Sequence, residues 1–421
     1  MVDEAVPSPD PAADTPPPRR RLSTFSSLQY RSYRLLWFAQ IGRTAAMWME
    51  QIARPVLILQ LTDSALQVGL VVAVRMAPQL IFGLPAGVIA DQFDRKRIML
   101  AAQLVTTSTH FVLAALVLTD VVEPWHVFAL ASVTGTSLVF NQTSRQALIP
   151  QIVPSEHVLN AVALNMMALN LMRIAGPAVA GLLLLSGIGP VYLLSGLLGL
   201  GAIAFVAIID LPPRPRSIEE QPSWSEDLRE GLRFAVHNSA VLAVLGPPLI
   251  LFVFGIPYLN VFVPLFAKEV LDLGDSGVGA LFAAAGGGAL IGSLLMASQA
   301  RLQRRGLLLL AFIALFSVAL LLFSRSTFLP LSVVALMAAA SMSTSFMALT
   351  NSLLLELSPP NMHGRVMSLM SLDRGLIPVG AIVAGALAAS IGPQDGLLVM
   401  ASVCLGLTVL AAIAAPALRR L

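Results

Sequence analysis

The sequence predicts an all-α, polytopic membrane protein: twelve transmembrane helices in two pseudo-symmetric six-helix bundles. Three observations carry that reading. Of 421 residues, 57% are hydrophobic and only 12% charged, against roughly 25% charged in an average soluble domain. The apolar residues fall into runs of about 20 or more, the length that crosses a bilayer as a helix. Two stretches in the first part of the chain also recur, in the same order, in the second.

The runs lie near 35–60, 66–90, 97–119, 125–147, 158–185 and 190–210, then 240–266, 277–299, 306–324, 328–355, 364–391 and 395–416. They predict a disordered tail over 1–32, a first bundle over 33–210, a cytoplasmic linker over 211–238 and a second bundle over 239–421. The tail is rich in Pro, Ala and Asp, and the apolar run after it is far too long for the core of a cleavable signal peptide. Pro212, Pro213 and Pro215 mark the linker, and residues 225–237 read as an amphipathic surface helix.

Arginine and lysine set the expected orientation. With the N-terminus inside, nineteen bases fall in cytoplasmic segments, against Lys268 and Arg325 on the other side. That bias places both termini in the cytoplasm of a cell that carries the protein in its inner or plasma membrane. The net charge of +3 does not form a basic stripe with interleaved aromatics, so nucleic acid is not an expected partner. The single Cys404 forbids an internal disulfide, and the five histidines make no i,i+3 or i,i+4 pair, so no metal or other cofactor is expected. A Walker-type ATP loop needs Gly-Lys-Ser/Thr, which neither Lys96 nor Lys268 supplies.

The charge of the first hairpin is concentrated in Asp91, Asp94, Arg95, Lys96 and Arg97, just after Gly87. Gly87 permits close helix approach, and the bases hold the turn on the cytoplasmic side. The internal repeat begins with Ala131-Ser132-Val133-Thr134, Asn141 and Pro150, matched by Ala340-Ser341-Met342-Ser343, Thr350 and Pro359 at a constant offset of 209. Further on, Arg173, Gly181 and Gly187-Ile188-Gly189-Pro190 are matched by Arg374, Gly385 and Ser390-Ile391-Gly392-Pro393. A duplication of this kind is the layout of many secondary transporters.

Gly87-x-x-x-Asp91-x-x-x-Arg95-Lys96 resembles the signature between helices 2 and 3 of the major facilitator superfamily. Asp94 replaces that signature's later glycine, and this variant is similar to the branch of bacterial macrolide and siderophore (enterobactin-type) exporters. Tyr33-Arg34-Leu35-Leu36-Trp37, Leu61-Thr62-Asp63-Ser64 and Ser144-Arg145-Gln146-Ala147 fit the same branch. Gly176, Pro177 and Gly181 match part of the fifth-helix antiporter pattern, with Met172 and Ala180 at two of its glycine positions. The fourth-helix arginine of many proton–drug antiporters is missing. The resemblance implies a cytoplasmic gate of Gly87, Asp91, Arg95, Lys96 and Arg97 with Arg365 as partner across the halves. The second-half hairpin has Met296 where the acid would stand.

Ionisable groups within spans cost roughly 2.5–3.5 kcal/mol each at the helix centre. In the first helix Gln40, Arg43, Met47, Glu50 and Arg54 recur at spacings of 3 and 4, so they share a face. Facing a central aqueous cavity, that stripe is tolerable. Glu50, which can pair with Arg54 one turn on, is the first proton-coupling candidate and Asp373 the second. Ser137, Asn141, Asn165, Arg173 and Arg374 are further cavity candidates, although Ser and Asn in such helices more often bond a neighbouring helix. Arg75 and Gln79 are weaker candidates, and His110 reads as a packed residue. The expected function is secondary active transport by alternating access: proton-coupled efflux of a small amphipathic molecule by a monomer. The alternatives are an inward proton symporter and, at a distance, a membrane-embedded enzyme, for which no nucleophile or metal motif is found.

Overall fold

The computed structural model describes residues 25–83, 85–86, 93–209, 224–298, 304–359 and 362–414. Among them there are helices and turns and no strand. In order, α1 is Arg31–Thr62, α2 Ala65–Phe82, α3 Arg95–Leu118, α4 Pro124–Ile152, α5 Val158–Leu184 and α6 Ile188–Ala207. Then come the linker helix α7, Trp224–His237, and α8, Ser239–Val270. They are followed by α9, Gly274–Ser298; α10, Arg305–Arg325; α11, Leu329–Leu357; α12, His363–Arg374; α13, Ile377–Ile391; and α14, Pro393–Ala414.

Nine of the described helices are long and apolar enough to cross a membrane. Two others, α1 and α4, have the length, at 32 and 29 residues, but are more polar. Their polar residues account for that: Gln40, Glu50 and Arg54 in α1, and Ser137, Asn141 and Arg145 in α4, are all buried among other helices. The apolar side chains do the reverse. Leu159, Leu182, Leu185, Val334 and Ile413 are among many left largely exposed, a pattern suited to lipid and not to water.

Helices before the linker pack on one another: α1 on α5 and α6, α3 on α4 and α6, and α2 on α4. Those after it do likewise, α9 on α11, α10 on α11 and α14, and α13 on α14. The two groups meet along two seams, α5 against α9 and α2 against α13. One end of the molecule carries the start of α1 and α7 (the linker face); the other carries the short turns at 63–64, 185–187, 271–273 and 392 (the far face).

Glycines set both seams near the far face. A Cβ at Gly181 would stand 3.0 Å from Gly279 Cα, and one at Gly385 3.0 Å from Gly69 Cα. Helix backbones therefore touch with nothing between them, as small-residue crossings allow. Gln60 Nε2 donates to Asp275 Oδ2 at 2.5 Å and Lys268 Nζ to Asp63 Oδ1 at 3.2 Å, both between the groups.

Helix α8 departs from regular geometry. Its residues Leu251–Gly255, Tyr258–Phe262 and Phe266–Val270 are π-helical, among Pro247, Pro248, Pro257 and Pro264. Proline withdraws its N–H from the ladder, and π turns are one way for a helix to absorb the loss. The widened turn contains Asn260, whose Oδ1 accepts from Gln51 Nε2 of α1 at 2.7 Å.

The linker helix starts one residue before the expected stretch and docks on α12: Arg365 Nη1 lies 2.9 Å from Glu230 Oε1. A Cβ at Gly231 would come within 3.2 Å of Arg365. At the first hairpin, Asp94 caps α3 by accepting from the backbone N–H groups of Lys96 and Arg97, at 2.9 and 3.2 Å. Lys96 Nζ donates to the carbonyls of Ala207 and Ile209, at 2.8 and 2.7 Å, where the C-terminal end of α6 leaves them without helical partners.

Candidate functional site

The site grows from Glu50, near the middle of α1. Pro55 within α1, and close packing on both sides, fix where this part of the helix sits. A Cβ at Gly42 would meet Leu198 O of α6 at 3.1 Å, and one at Gly176 would meet Trp48 Cβ at 2.8 Å. With α5 and α6 pressed this close, the polar face of α1 turns to α2, α3 and α4.

Glu50 is 1% exposed. Its Oε1 pairs with Arg54 Nη2 one turn away and lies 3.6 Å from His110 Nε2 of α3. Its Oε2 lies 3.7 Å from Arg75 Nη2 of α2. Arg54 in turn donates to Thr134 Oγ1 of α4 at 3.4 Å, while that hydroxyl donates to Leu130 O at 2.7 Å. The carboxylate thus joins α1 to α2 by charge, lies beside α3, and reaches α4 through the bond from Arg54 to Thr134.

Gly135 places Arg75. A Cβ there would overlap the carbonyl of Arg75 and stand 3.2 Å from Pro78 Cγ, so α2 and α4 touch backbone to backbone at that level. Arg75 is 7% exposed and His110 2%. Nε of Arg75, Nε and Nη1 of Arg54, and Nδ1 of His110 have no hydrogen-bond partner among the described residues. For a buried charge, burial penalises ionisation and only close partners offset it. The clamp therefore holds its charges at short range but leaves donors unspent.

Two cavities flank Glu50. The larger, about 390 Å³ when its opening to solvent is counted, is lined by Arg43, Met47, Glu50, Arg75, Gln103, His110, Thr134 and Asn141, with Ala46, Thr106 and Leu138. The smaller, about 280 Å³ when its opening to solvent is counted, lies between the groups and is lined by Glu50, Gln51, Arg54, Arg75 and Asn260 among others. The carboxylate forms part of both walls.

The expected stripe on α1 is assembled in part. Arg43, Met47 and Glu50 face the larger cavity and Arg54 the smaller. Buried Gln40 accepts from Arg43 Nη2 at 3.3 Å. Asn141 lines the larger cavity and donates to Met99 O and Gln103 Oε1, at 3.3 and 3.4 Å. Ser137 is buried but lines neither cavity, and Asn165 is half-buried away from both. Arg173 stacks over the Trp48 ring at 5.7 Å, a cation–π contact that joins α5 to α1.

Asp373 and Arg374 end α12, where the helix breaks before α13; Asp373 is half-buried and Arg374 exposed, and neither lines these cavities. Gly176, Pro177 and Gly181 are buried, the two glycines at helix crossings. Of the expected gate, Gly87 and Asp91 lie outside the described residues. Lys96 binds α6, Arg97 lies 3.7 Å from Asp94 on the surface, Arg95 opens α3, and Arg365 meets Glu230.

Sequence reasoning missed two partners of Glu50. Arg75 and His110 lie on other helices, and no spacing along the chain marks them as neighbours. Gln51 and Asn260 were likewise unmarked, although four prolines in α8 were a visible sign of irregular helix.

A helical membrane protein of two packed groups, with a buried charged cluster beside internal cavities, belongs to the class of transporters. The model of the family described as transmembrane secretion effectors, a branch of the major facilitator superfamily, matches residues 22–420, and the chain belongs to that family. Macrolide efflux protein A of Streptococcus pyogenes is 25% identical over 378 residues, covering 86% of this chain and 92% of that protein. The enterobactin exporter EntS of Shigella boydii is 26% identical over 366 residues, covering 86% of each. Among solved structures, the nucleoside transporter NupG aligns with a TM-score of 0.72 at 14% identity, over 92% of this chain and 98% of that one. A bacterial homologue of the lysosomal transporter Spinster, inward-facing and unoccupied, aligns with a TM-score of 0.66 at 16% identity, over 94% and 96%. At these identities the structural likeness speaks for the fold alone.

Proposed function

We propose that this transporter exports a small amphipathic molecule by alternating access, coupled to protons. The observation that carries the reading is Glu50: a carboxylate held by arginines in the middle of a helix bundle, in the wall of two cavities. Such a group is expensive inside a membrane and marks an ion or substrate path. Neutralising it would release Arg54 and Arg75 from their shared anion, so a proton and a ligand can compete for the same charges. Asp373 remains the second coupling candidate, at the α12–α13 break.

We take α1, α4 and the α12–α13 pair as spans in addition to the nine apolar helices, which gives twelve, six on each side of the linker. The excess of bases at the linker face puts that face and both termini in the cytoplasm. On that orientation the glycine seams and the Asp63–Lys268 and Gln60–Asp275 pairs close the outer end, leaving the cytoplasmic end for loading. The Asp91–Arg365 latch of the opposite state is part of this reading. The export direction draws on the efflux proteins among the relatives. The working unit is a monomer.

The test is accumulation of dyes, antibiotics and siderophores in cells with and without the protein, with and without an uncoupler. Export predicts lower accumulation that the uncoupler reverses, and Glu50→Gln should abolish transport driven by an imposed pH gradient. Unchanged gradient-driven transport in that variant would remove Glu50 from the coupling step.

A further inference from the structure

The six helices α1 to α6 contain one acidic residue, Glu50, against Arg43, Arg54, Arg75, Arg145 and Arg173 more than a turn from their ends. Arg173 rests on Trp48, and Glu50 answers Arg54 and Arg75 together with a single negative charge. Among the described residues Arg43 has only an uncharged partner, the Gln40 amide oxygen at 3.3 Å. Arg145 is 4% exposed; its Nη1 reaches Leu36 O at 3.4 Å, and its Nε has no partner among the described residues. Guanidinium groups in such excess, Arg54, Arg75 and Arg145 buried and Arg43 and Arg173 half-buried, call for a counter-ion, because desolvation is repaid only by opposite charge or good hydrogen bonds.

The larger cavity is where a counter-ion would meet two of these arginines. Arg43 and Arg75 line it together with Gln103, whose amide oxygen already accepts from Asn141 and whose amide nitrogen is a donor. Met47 and Leu138 supply apolar wall in the same space. We propose that this cavity binds the anionic group, a carboxylate or phosphate, of an amphipathic substrate, with Arg43 and Arg75 as its charge partners. A guanidinium fork matches such oxygens in a bidentate manner. The inference deepens the transport reading and rests on it: the cargo carries negative charge at one end.

Binding can be measured without transport. Dansylglycine and dansylcadaverine share a fluorophore and differ in carrying a carboxylate or an amine. Titrated against the purified full-length protein, dansylglycine should saturate and dansylcadaverine should not. Arg43→Gln should weaken dansylglycine at least about tenfold, as loss of a charge partner does, and Arg43→Lys should recover part of the loss. Gln103→Leu, which changes no charge, should weaken it less and serves if the arginine variants fail to fold. Equal or tighter binding of dansylcadaverine, or unchanged binding in both Arg43→Gln and Gln103→Leu, overturns the proposal. Inorganic phosphate alone should compete poorly; displacement at concentrations like those of dansylglycine would make this a small-ion site and overturn the assignment to an amphiphile. In vesicles, transport of the dansyl pair without preference for the carboxylate refutes the anion site and leaves the transport reading intact. Arg43-dependent binding with no movement of either compound does the opposite.

Discussion

Gly181 and Gly279 meet backbone to backbone across the two groups of helices: a Cβ at Gly181 would lie 3.0 Å from Gly279 Cα, and one at Gly279 would overlap Gly181 itself. Gly69 and Gly385 repeat the arrangement on the other seam. The duplication in the sequence places Gly385 where Gly181 falls in the first half, so one crossing is used twice. Gly181 belongs to the partial antiporter pattern, and this crossing is what that glycine does here.

Gly279→Leu should therefore prevent the far face from closing while leaving each group of helices folded. In a Cys404→Ala background, a Met47→Cys reporter should react faster with a membrane-impermeant maleimide added at the far face. Gly181→Ala should have a smaller effect, since its neighbour must yield by only a few tenths of an ångström. Unchanged labelling in Gly279→Leu would mean that the seam does not control access.

Glu50 makes a second prediction, about stability. Removing the one carboxylate strands Arg54 and Arg75 in the interior, and breaking a buried pair from one side costs about 3–5 kcal/mol. Glu50→Gln should lower the Tm of the detergent-solubilised protein clearly, and adding Arg54→Met should restore part of it. The double-mutant cycle measures the coupling, because the two side chains touch. An additive cycle would show that the pair contributes no interaction energy.

The pair Asp63–Lys268 is exposed, with half or more of the acid open to solvent. A surface pair of this kind contributes about 0.2–1 kcal/mol, too little to hold a fold but enough to bias two states. Asp63→Lys should set two cations against each other and speed far-face labelling of the Met47→Cys reporter up to about fivefold. Adding Lys268→Asp should return the rate to that of the parent. Tm should barely move in either variant.

The legibility of the molecule in its sequence follows the range of the interactions. Length and apolarity revealed the helices, since a bilayer-spanning run is a local property. Glu50 with Arg54 was legible because i,i+4 pairing is also local. Arg75 and His110 reach Glu50 only through the packing of α2 and α3 on α1, which no local spacing encodes. Asp94 read as a departure from a motif, and its cap on α3 became visible only with the backbone N–H groups of Lys96 and Arg97 in place. Asn141 read as a possible ligand donor, and half of its amide proved to be spent on Met99 and Gln103.

The bond between Gln51 and Asn260 joins the two groups at mid-depth, in the wall of the smaller cavity, through a π turn of α8. Removing one partner should cost more than removing both, because a buried amide left alone pays its full desolvation penalty, about 1–3 kcal/mol. Asn260→Leu and Gln51→Leu should each lower Tm, and the double variant should be at least as stable as the better single one. The same double variant should also free the groups to separate at mid-depth and speed far-face labelling of the Met47→Cys reporter. If the double variant loses the sum of the two single effects, each amide is held by other contacts and the bond between them does not link the groups.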